Sequence, residues 1–318
     1  MEIRWLEAFV AVAEEMHFGR AAARLHMAQS PLSQVIRRLE RELKSPLFER
    51  STRSVGLTAS GEALLPYAYQ VIQTLGNAVD ATQSAQGIPT GQLSIGFSGV
   101  HNHHTLPRLT RSLRRSYPGV ELRLVGGVRT LDGIRRVQKG DLDAAFIGLI
   151  GEVDEPLRTR EISRQHVGVV VPVDHPLAER ESLHVTELRN EPFVMGPIDG
   201  NSSMTVIARQ ICQGAGFNPQ VAQTVSDPFL VLSMVAAGVG VTLVSSEVVP
   251  ILPEAATWVE IEDRPYPFRH GVVWSDENDS VPLKALMRVI DDAFGDSVGD
   301  DASSTEGGSD GGDAVSTK

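Results

Sequence analysis

The chain has 318 residues, enough for two or three domains with cores of their own. Hydrophobic residues make up 42% and charged residues 22%, which excludes a low-complexity or collagen-like polymer, and no run of 18 apolar residues is present to span a membrane. The net charge of −11 argues at first against a nucleic-acid partner, yet residues 1–60 hold nine Lys or Arg against seven acids, while residues 291–318 hold eight acids against Lys318 alone.

The single cysteine, Cys212, can form neither an internal disulfide nor a cysteine-rich metal site, which points to a reducing compartment. The opening MEIRWLEAFV has no signal-peptide pattern, so the expectation is a cytoplasmic protein. Ile3, Leu6, Phe9, Val10 and Ala13 then fall at helical spacing and predict a first helix.

Residues 18–43, FGRAAARLHMAQSPLSQVIRRLEREL, read as two helices joined by the tight turn His26-Met27-Ala28-Gln29. The small run Ala21-Ala22-Ala23 lets the two helices approach closely. Ser30 is the expected N-cap of the second, with Pro31 at its first position. Leu32, Val35, Ile36, Leu39 and Leu43 form one apolar stripe, and Ser30, Ser33, Gln34, Arg37 and Arg41 collect on the opposite face. A helix-turn-helix is built this way: Gln reads adenine edges, Arg reads guanine or grips phosphate, and Ser does either. An ordinary helical hairpin with a wetted outer face would satisfy the same pattern.

Next, Leu47 and Phe48, a basic tip through Arg50, Thr52 and Arg53, and an apolar 55–57 predict two short strands forming a β-wing. The tip suits phosphate or a minor groove, or is simply a solvated hairpin end. Thr58 caps a long helix over 59–86, whose stripe of Leu64, Leu65, Ala68, Val71, Ile72, Leu75, Ala78 and Val79 calls for a partner. That partner is a second copy or the helix's own domain. Pro66 should kink or break its first turns. QGIPTG (86–91) is the expected linker.

Two stretches, FVAVAEEMHFGRAAARLHMAQSPLSQVIRRLERELKSPLFER and LTASGEALLPYA, together resemble the LysR-type transcriptional regulators over the first ninety residues. The resemblance implies a winged helix-turn-helix whose second helix enters the major groove of double-stranded operator DNA. It also implies a dimerising linker helix, homodimers or homotetramers, and a C-terminal domain that senses a small molecule. RNA polymerase is a further candidate partner. The DNA contacts expected are Ser33, Gln34 and Arg37 on base edges, Gln29, Ser30 and Pro31 at the helix N-terminus, and Arg50, Thr52 and Arg53 on phosphate.

The remainder alternates strand and helix: strand 92–97, helix 105–117, strand 120–125, helix 131–139 and strand 142–150. A second unit follows with strands 167–171 and 193–195, helix 203–215, strand 220–225, helix 228–237 and strand 242–245. Strand 269–274 and helix 282–294 return to the first unit. The alternation argues for parallel α/β sheets. The expected division is a 1–58 DNA-binding domain, a 59–91 linker helix and hinge, and a 92–295 effector domain of two subdomains (92–163 with 268–295, and 164–267). Crossovers fall near 161–165 and 264–268. The effector domain resembles the periplasmic-binding-protein-like fold of the family. The Gly/Ser/Asp-rich 296–318 is expected to be disordered.

Small ligands in α/β domains lie at the carboxyl ends of strands. By position in the family's cleft, the resemblance implies Ser98, Val100, His101, Thr130, Gly148, Asn201 and Ser202 as effector contacts, with Phe229 as an apolar wall. An organic acid is the expected effector, since helix N-termini hold carboxylates; alternatively these hydroxyls only cap helices. No cofactor and no metal is expected. Gly96-Phe97-Ser98-Gly99-Val100 lacks the second glycine of a nucleophile elbow, and Gly238-Val239-Gly240 ends at Leu243 rather than at a third dinucleotide-fold glycine. His101, His103 and His104 lack regular metal-ligand spacing. An enzyme or solute-binding α/β protein carrying a helical head is the competing class, but no triad or cofactor fingerprint supports it.

Overall fold

The computed structural model describes residues 1–50, 55–84, 89–99, 102–263 and 266–294. The expectations for Thr52, Arg53, Val100, His101, part of the 86–91 linker, the start of the 264–268 crossover and the 296–318 tail lie outside the described residues.

Helices α1 (Ile3–Glu15), α2 (Phe18–Arg24) and α3 (Gln29–Leu43) form the head. Phe9, Leu32, Ile36 and Leu39 are fully buried at its centre, and Val35 packs beside them. Leu43, the last residue of the expected stripe, is exposed at the end of α3. Ala21 and Ala22 are buried, so the backbones of α2 and its neighbours approach without intervening side chains. His17 opens α2 by accepting the N–H groups of Gly19 and Arg20 on its Nδ1. The phase of α3 differs from the expectation. Extended Ala28 is its N-cap, and Ser30 and Pro31 sit within the first turn, where proline's missing N–H is equally harmless.

Strands β1 (Phe48–Arg50) and β2 (Val55–Leu57) pair antiparallel as a wing. Phe48 ties the wing to the head, its ring 5.4 Å from Phe9 and 5.8 Å from Phe18. Glu40 on α3 reinforces this by accepting the N–H groups of Leu47 and Phe48. Thr58 then caps α4 (Ala59–Ser84) through a bond from Gly61 N at 3.1 Å. The helix runs unbroken through Pro66, so of the expected kink or break the break does not occur. Proline removes one ladder bond, but Leu64, Leu65, Ala68, Tyr69 and Ile72 on both sides of it pack on the head and hold the helix in register. Farther along, Tyr67, Val71, Leu75 and Val79, spaced four apart, stay 66%, 44%, 42% and 48% exposed.

The C-terminal part has two subdomains. The first carries β3 (Thr90–Phe97), α5 (Asn102–Ser116), β4 (Gly119–Val125), α6 (Thr130–Gln138), β5 (Ala144–Gly148) and β6 (Leu157–Gln165). The second holds β7 (Val167–Pro172), β8 (Ser182–Leu183), β9 (Pro192–Met195), α7 (Ser203–Gly214), β10 (Gln220–Thr224), α8 (Pro228–Ala236), β11 (Thr242–Ser245) and β12 (Ala256–Ile261). β13 (Phe268–Ser275) and α9 (Val281–Phe294) return to the first.

The first sheet has the order β4-β3-β5-β13-β6, with β3 parallel to β4 and β5 but β13 antiparallel to both its neighbours. The expected all-parallel sheet is therefore mixed. β6 carries the chain out to the second subdomain and β13 brings it back alongside, so the two run in opposite directions. The second subdomain has a β11-β7-β12-β8 sheet and a parallel β9–β10 pair. The change of sheet occurs at His166, directly after β6. Phe146, Leu93, Ile95 and Leu286 anchor one core and Phe193, Val169, Ile211 and Phe268 another.

Candidate functional site

On α3, Gln29, Ser30, Pro31, Gln34, Arg37, Arg38 and Arg41 are exposed and Ser33 is half-buried, so the face opposite the buried stripe is polar along its whole length. No acid stands in the first turn of α3, and its free N–H groups there favour an anion. A shallow groove beside this face is lined by Gln34, Arg37, Arg38, Arg41 and Lys44. Its one acid, Glu40, is turned to the Leu47 and Phe48 amides. Ser30, Gln34, Arg37, Arg41 and Lys44 lie three or four apart and form one stripe, polar at the N-terminal end and cationic at the other. The sequence reading missed Arg38 and Lys44, which the i, i+4, i+7 spacing from Arg37 and Gln34 could have found. Arg50 closes β1 opposite Val55.

The second site is a cleft of about 430 Å3 between the subdomains. Ser98, Gly99, Gly127 and Arg129 line it from the first, and the N-terminal turns of α7 and α8 line it from the second. Ser202 caps α7 by accepting the N–H of Thr205, and Asp227 caps α8 by accepting those of Phe229 and Leu230. Leu232, Val231, Val244 and Val248 form the apolar wall, and Phe229 stands at the opening, 56% exposed.

Of the residues expected here, the cleft brings together Ser98, Ser202 and Phe229. Thr130 and Gly148 are buried beside it rather than lining it, with Thr130 Oγ1 donating to Gly148 O at 3.5 Å. Gly148 is held to glycine by contact: a Cβ there would meet Ser203 Oγ at 2.1 Å. Asn201 is half-buried and outside the lining, its backbone N–H donated to Asp199.

Of the loop 128–130, expected at the crevice, the sequence reading takes Thr130 as the contact and not Arg129. Arg129 occupies the N-cap position of α6 and reaches across to the second subdomain, pairing with Asp199 at 2.8 Å. Asp199 is held below the ordinary carboxylate range first by the Asn201 N–H and then by Arg129. Asp227 is spent on its cap, so Arg129 is the charge the lining offers to a ligand.

Cys212 is fully buried in α7, and burial pushes its thiol up to about 11, out of the range of a reactive thiolate. The rings of His103 and His104 lie 3.9 Å apart on α5, and the described residues hold no group of three metal donors. Among the described residues, no helix is long and apolar enough to cross a membrane.

Two family models match the chain: the bacterial regulatory helix-turn-helix protein, lysR family, over residues 3–62, and the LysR substrate binding domain over residues 86–295. The HTH-type transcriptional regulator ShiR of Corynebacterium glutamicum (strain R) is 42% identical over 92% of this chain and 99% of its own length. AlsR of Bacillus subtilis (strain 168), also an HTH-type transcriptional regulator, is 34% identical over 77% of this chain and 81% of its own. The crystal structure of CbnR, a LysR family transcriptional regulator, shares the fold with a TM-score of 0.71 at 22% identity, covering 92% of this chain and 99% of that one. A polar helix face, a wing and a two-subdomain cleft thus occur in one order along one polypeptide, and the chain belongs to the LysR family of helix-turn-helix transcriptional regulators.

Proposed function

We propose that this LysR-type regulator is switched by a small organic anion bound in the cleft between its subdomains. Arg129 carries the reading: it is the cation available at the lining, and the N-terminus of α7, capped by Ser202, faces the same space. The apolar wall of Leu232, Val244 and Val248 suits a hydrocarbon body behind the charged group. An entering carboxylate would compete with Asp199 for Arg129 and so alter a bond that joins the two subdomains. A ligand of that kind binds one closure state better than the other, as a two-state switch requires.

On DNA, the head of α3 reads bases through Gln29, Ser30, Ser33, Gln34 and Arg37. Arg38, Arg41 and Lys44 grip phosphate beside Arg50, Thr52 and Arg53. The exposed Tyr67, Val71, Leu75 and Val79 face of α4 is the seam to a second copy, as a lone helix with such a face requires. RNA polymerase is the machinery on which the assembled operator complex would act.

The test is a thermal-shift series on the full chain with small carboxylic acids and their uncharged amides. Ligands that bind the folded state raise the melting temperature. Acids should do so and amides should not. Equal shifts from both would refute the anion reading. Footprinting on the chain's own upstream region tests the DNA reading separately.

A further inference from the structure

Three parts of the fold converge on one hydroxyl. Tyr69, on α4, donates its O–H to Glu14 Oε1 of α1 at 3.0 Å. Asp141, in the turn between α6 and β5, is a second carboxylate close enough to act on the same hydroxyl. One helical turn on, Gln73 donates Nε2 to Asp143 Oδ1 at 2.8 Å. Asp143 also accepts Ser94 N at 2.8 Å and Asn278 Nδ2 at 2.9 Å, so this contact is rooted in β3 and in the loop before α9. Gly140, at a φ of +78°, lies under the same helix, where a Cβ would come within 2.9 Å of Gln73 Oε1. Positions i and i+4 of the linker helix therefore hold the first subdomain, and the first of them also holds the DNA-binding head.

A phenol has one proton to give, and here it faces two carboxylates. Burial, then Asp141 and Glu14, hold the Tyr69 hydroxyl far above its ordinary range, so it stays protonated. Asp141 is pushed up, first by burial and further by Glu14, while the Tyr69 bond, Arg136 and Lys139 pull the other way. Arg136 stands off at 3.9 Å and is shared with Asp132; Glu14 is paired with Arg24, and Glu15 with Arg20. Asp141 Oδ1 is buried with no hydrogen-bond partner among the described residues, a setting that suits a neutral acid better than an anion. Protonated, Asp141 would close the line by donating its O–H to the Tyr69 oxygen, while the Tyr69 O–H donates to Glu14.

We propose that Glu14, Tyr69 and Asp141 form a proton-sensitive clasp which, with Gln73 and Asp143 beside it, ties the effector domain to the DNA-binding head. It requires no ligand in the cleft and so goes beyond the effector reading. Because the Asp141 acid is raised on folding, the clasp is complete below the ordinary carboxylate value and opens as pH rises through the raised one.

Small-angle scattering of the full chain between pH 4 and pH 9 tests it. The wild type should be expanded at pH 9, with its domains released. Asp141→Asn, whose amide donates as the protonated acid would, should remain compact there. Tyr69→Phe keeps the ring and its packing but should be expanded at every pH. Glu14→Gln, removing one adjacent negative charge, should move the wild-type midpoint to lower pH. If Asp141→Asn matches the wild type at pH 9, or Tyr69→Phe is as compact as Asp141→Asn, the clasp is refuted.

Discussion

Gly61→Ala sets two effects of opposite sign against each other. Gly61 lies in the first turns of α4, where alanine is favoured over glycine by about 1 kcal/mol. Local propensity alone therefore predicts a more stable protein. The packing predicts the reverse. A Cβ at this position would fall 2.2 Å from the backbone oxygen of Leu47 and 2.8 Å from Leu57 Cδ2. Leu47 is buried, and its carbonyl accepts Thr58 N at 3.0 Å, so it cannot retreat without opening that bond. Overpacking costs ~1–3 kcal/mol and the strained bond about 1 kcal/mol more. The clash wins by roughly 1–3 kcal/mol after the helical gain is subtracted. Calorimetry should show the head melting earlier, by about 4–8 °C for each kcal/mol in a domain of this size. DNA affinity should fall with it, because Leu47 and Leu57 root both strands of the wing. A Gly61→Ala protein that melts later than the wild type would overturn the seating of α4 on the wing.

The DNA-binding face separates by role. Arg37→Ala should relax base preference, whereas Lys44→Ala should weaken all sequences alike and reduce the salt slope by ~1, both read by gel shift across a salt series. Leu75→Lys places a charge on the exposed face of α4, and light scattering should report smaller assemblies while the head's melting temperature holds. On the surface of the second subdomain, His184 is raised above its ordinary value first by its hydrogen bond to Asp263, and Asp263 is lowered chiefly by the same bond. The pair therefore stabilises the fold between the two pKa values: the Asp263 contribution is lost as pH falls through its lowered value, and that of His184 as pH rises through its raised one. Asp263→Asn should return the His184 titration, followed by NMR, toward the ordinary histidine range.

Local periodicity made the head legible: Leu32, Ile36 and Leu39 are buried where a 3.6-residue repeat puts them. The phase of α3 was not, because Ser30 and Pro31 are as well suited to a first turn as to a cap, and only the extended backbone of Ala28 decides between them. Strand β6, LRTREISRQ, reads as a polar crossover because it lies at a sheet edge and buries only Leu157 and Ile162. β12, ATWVEI, lies inside its sheet but shows neither a period of two nor an unbroken apolar run: Ala256, Val259 and Ile261 are buried, and Thr257, Trp258 and Glu260 are half-buried. In the cleft, Ser98 and Ser202 were legible as a strand end and a helix cap. The loop of Arg129 was legible as a strand end too, but its role as the charged contact was not, because an arginine in a loop looks like solvated surface until the fold sets Asp199 across from it. Tyr69 and Asp141 are further still from legibility: the one reads as a helix-face aromatic and the other as a turn acid, and no pattern within either stretch links them.

Asp199→Asn decides what kind of ligand the cleft is built for. The side chains of Arg129 and Asp199 are 36% and 42% exposed, so solvent screens their ion pair and its loss should leave the fold's stability nearly unchanged. The effect on the ligand depends on the ligand's charge. If the effector is an anion, Asp199 competes with it for Arg129, and removing that competitor should tighten binding by up to about fivefold. If instead the effector presents a cation, Asp199 is its natural partner, and the same substitution should weaken binding. Titration calorimetry with whichever small acid gives the largest thermal shift reads the sign directly. Weaker binding by Asp199→Asn would refute Arg129 as the effector's anchor and assign that part to the carboxylate opposite.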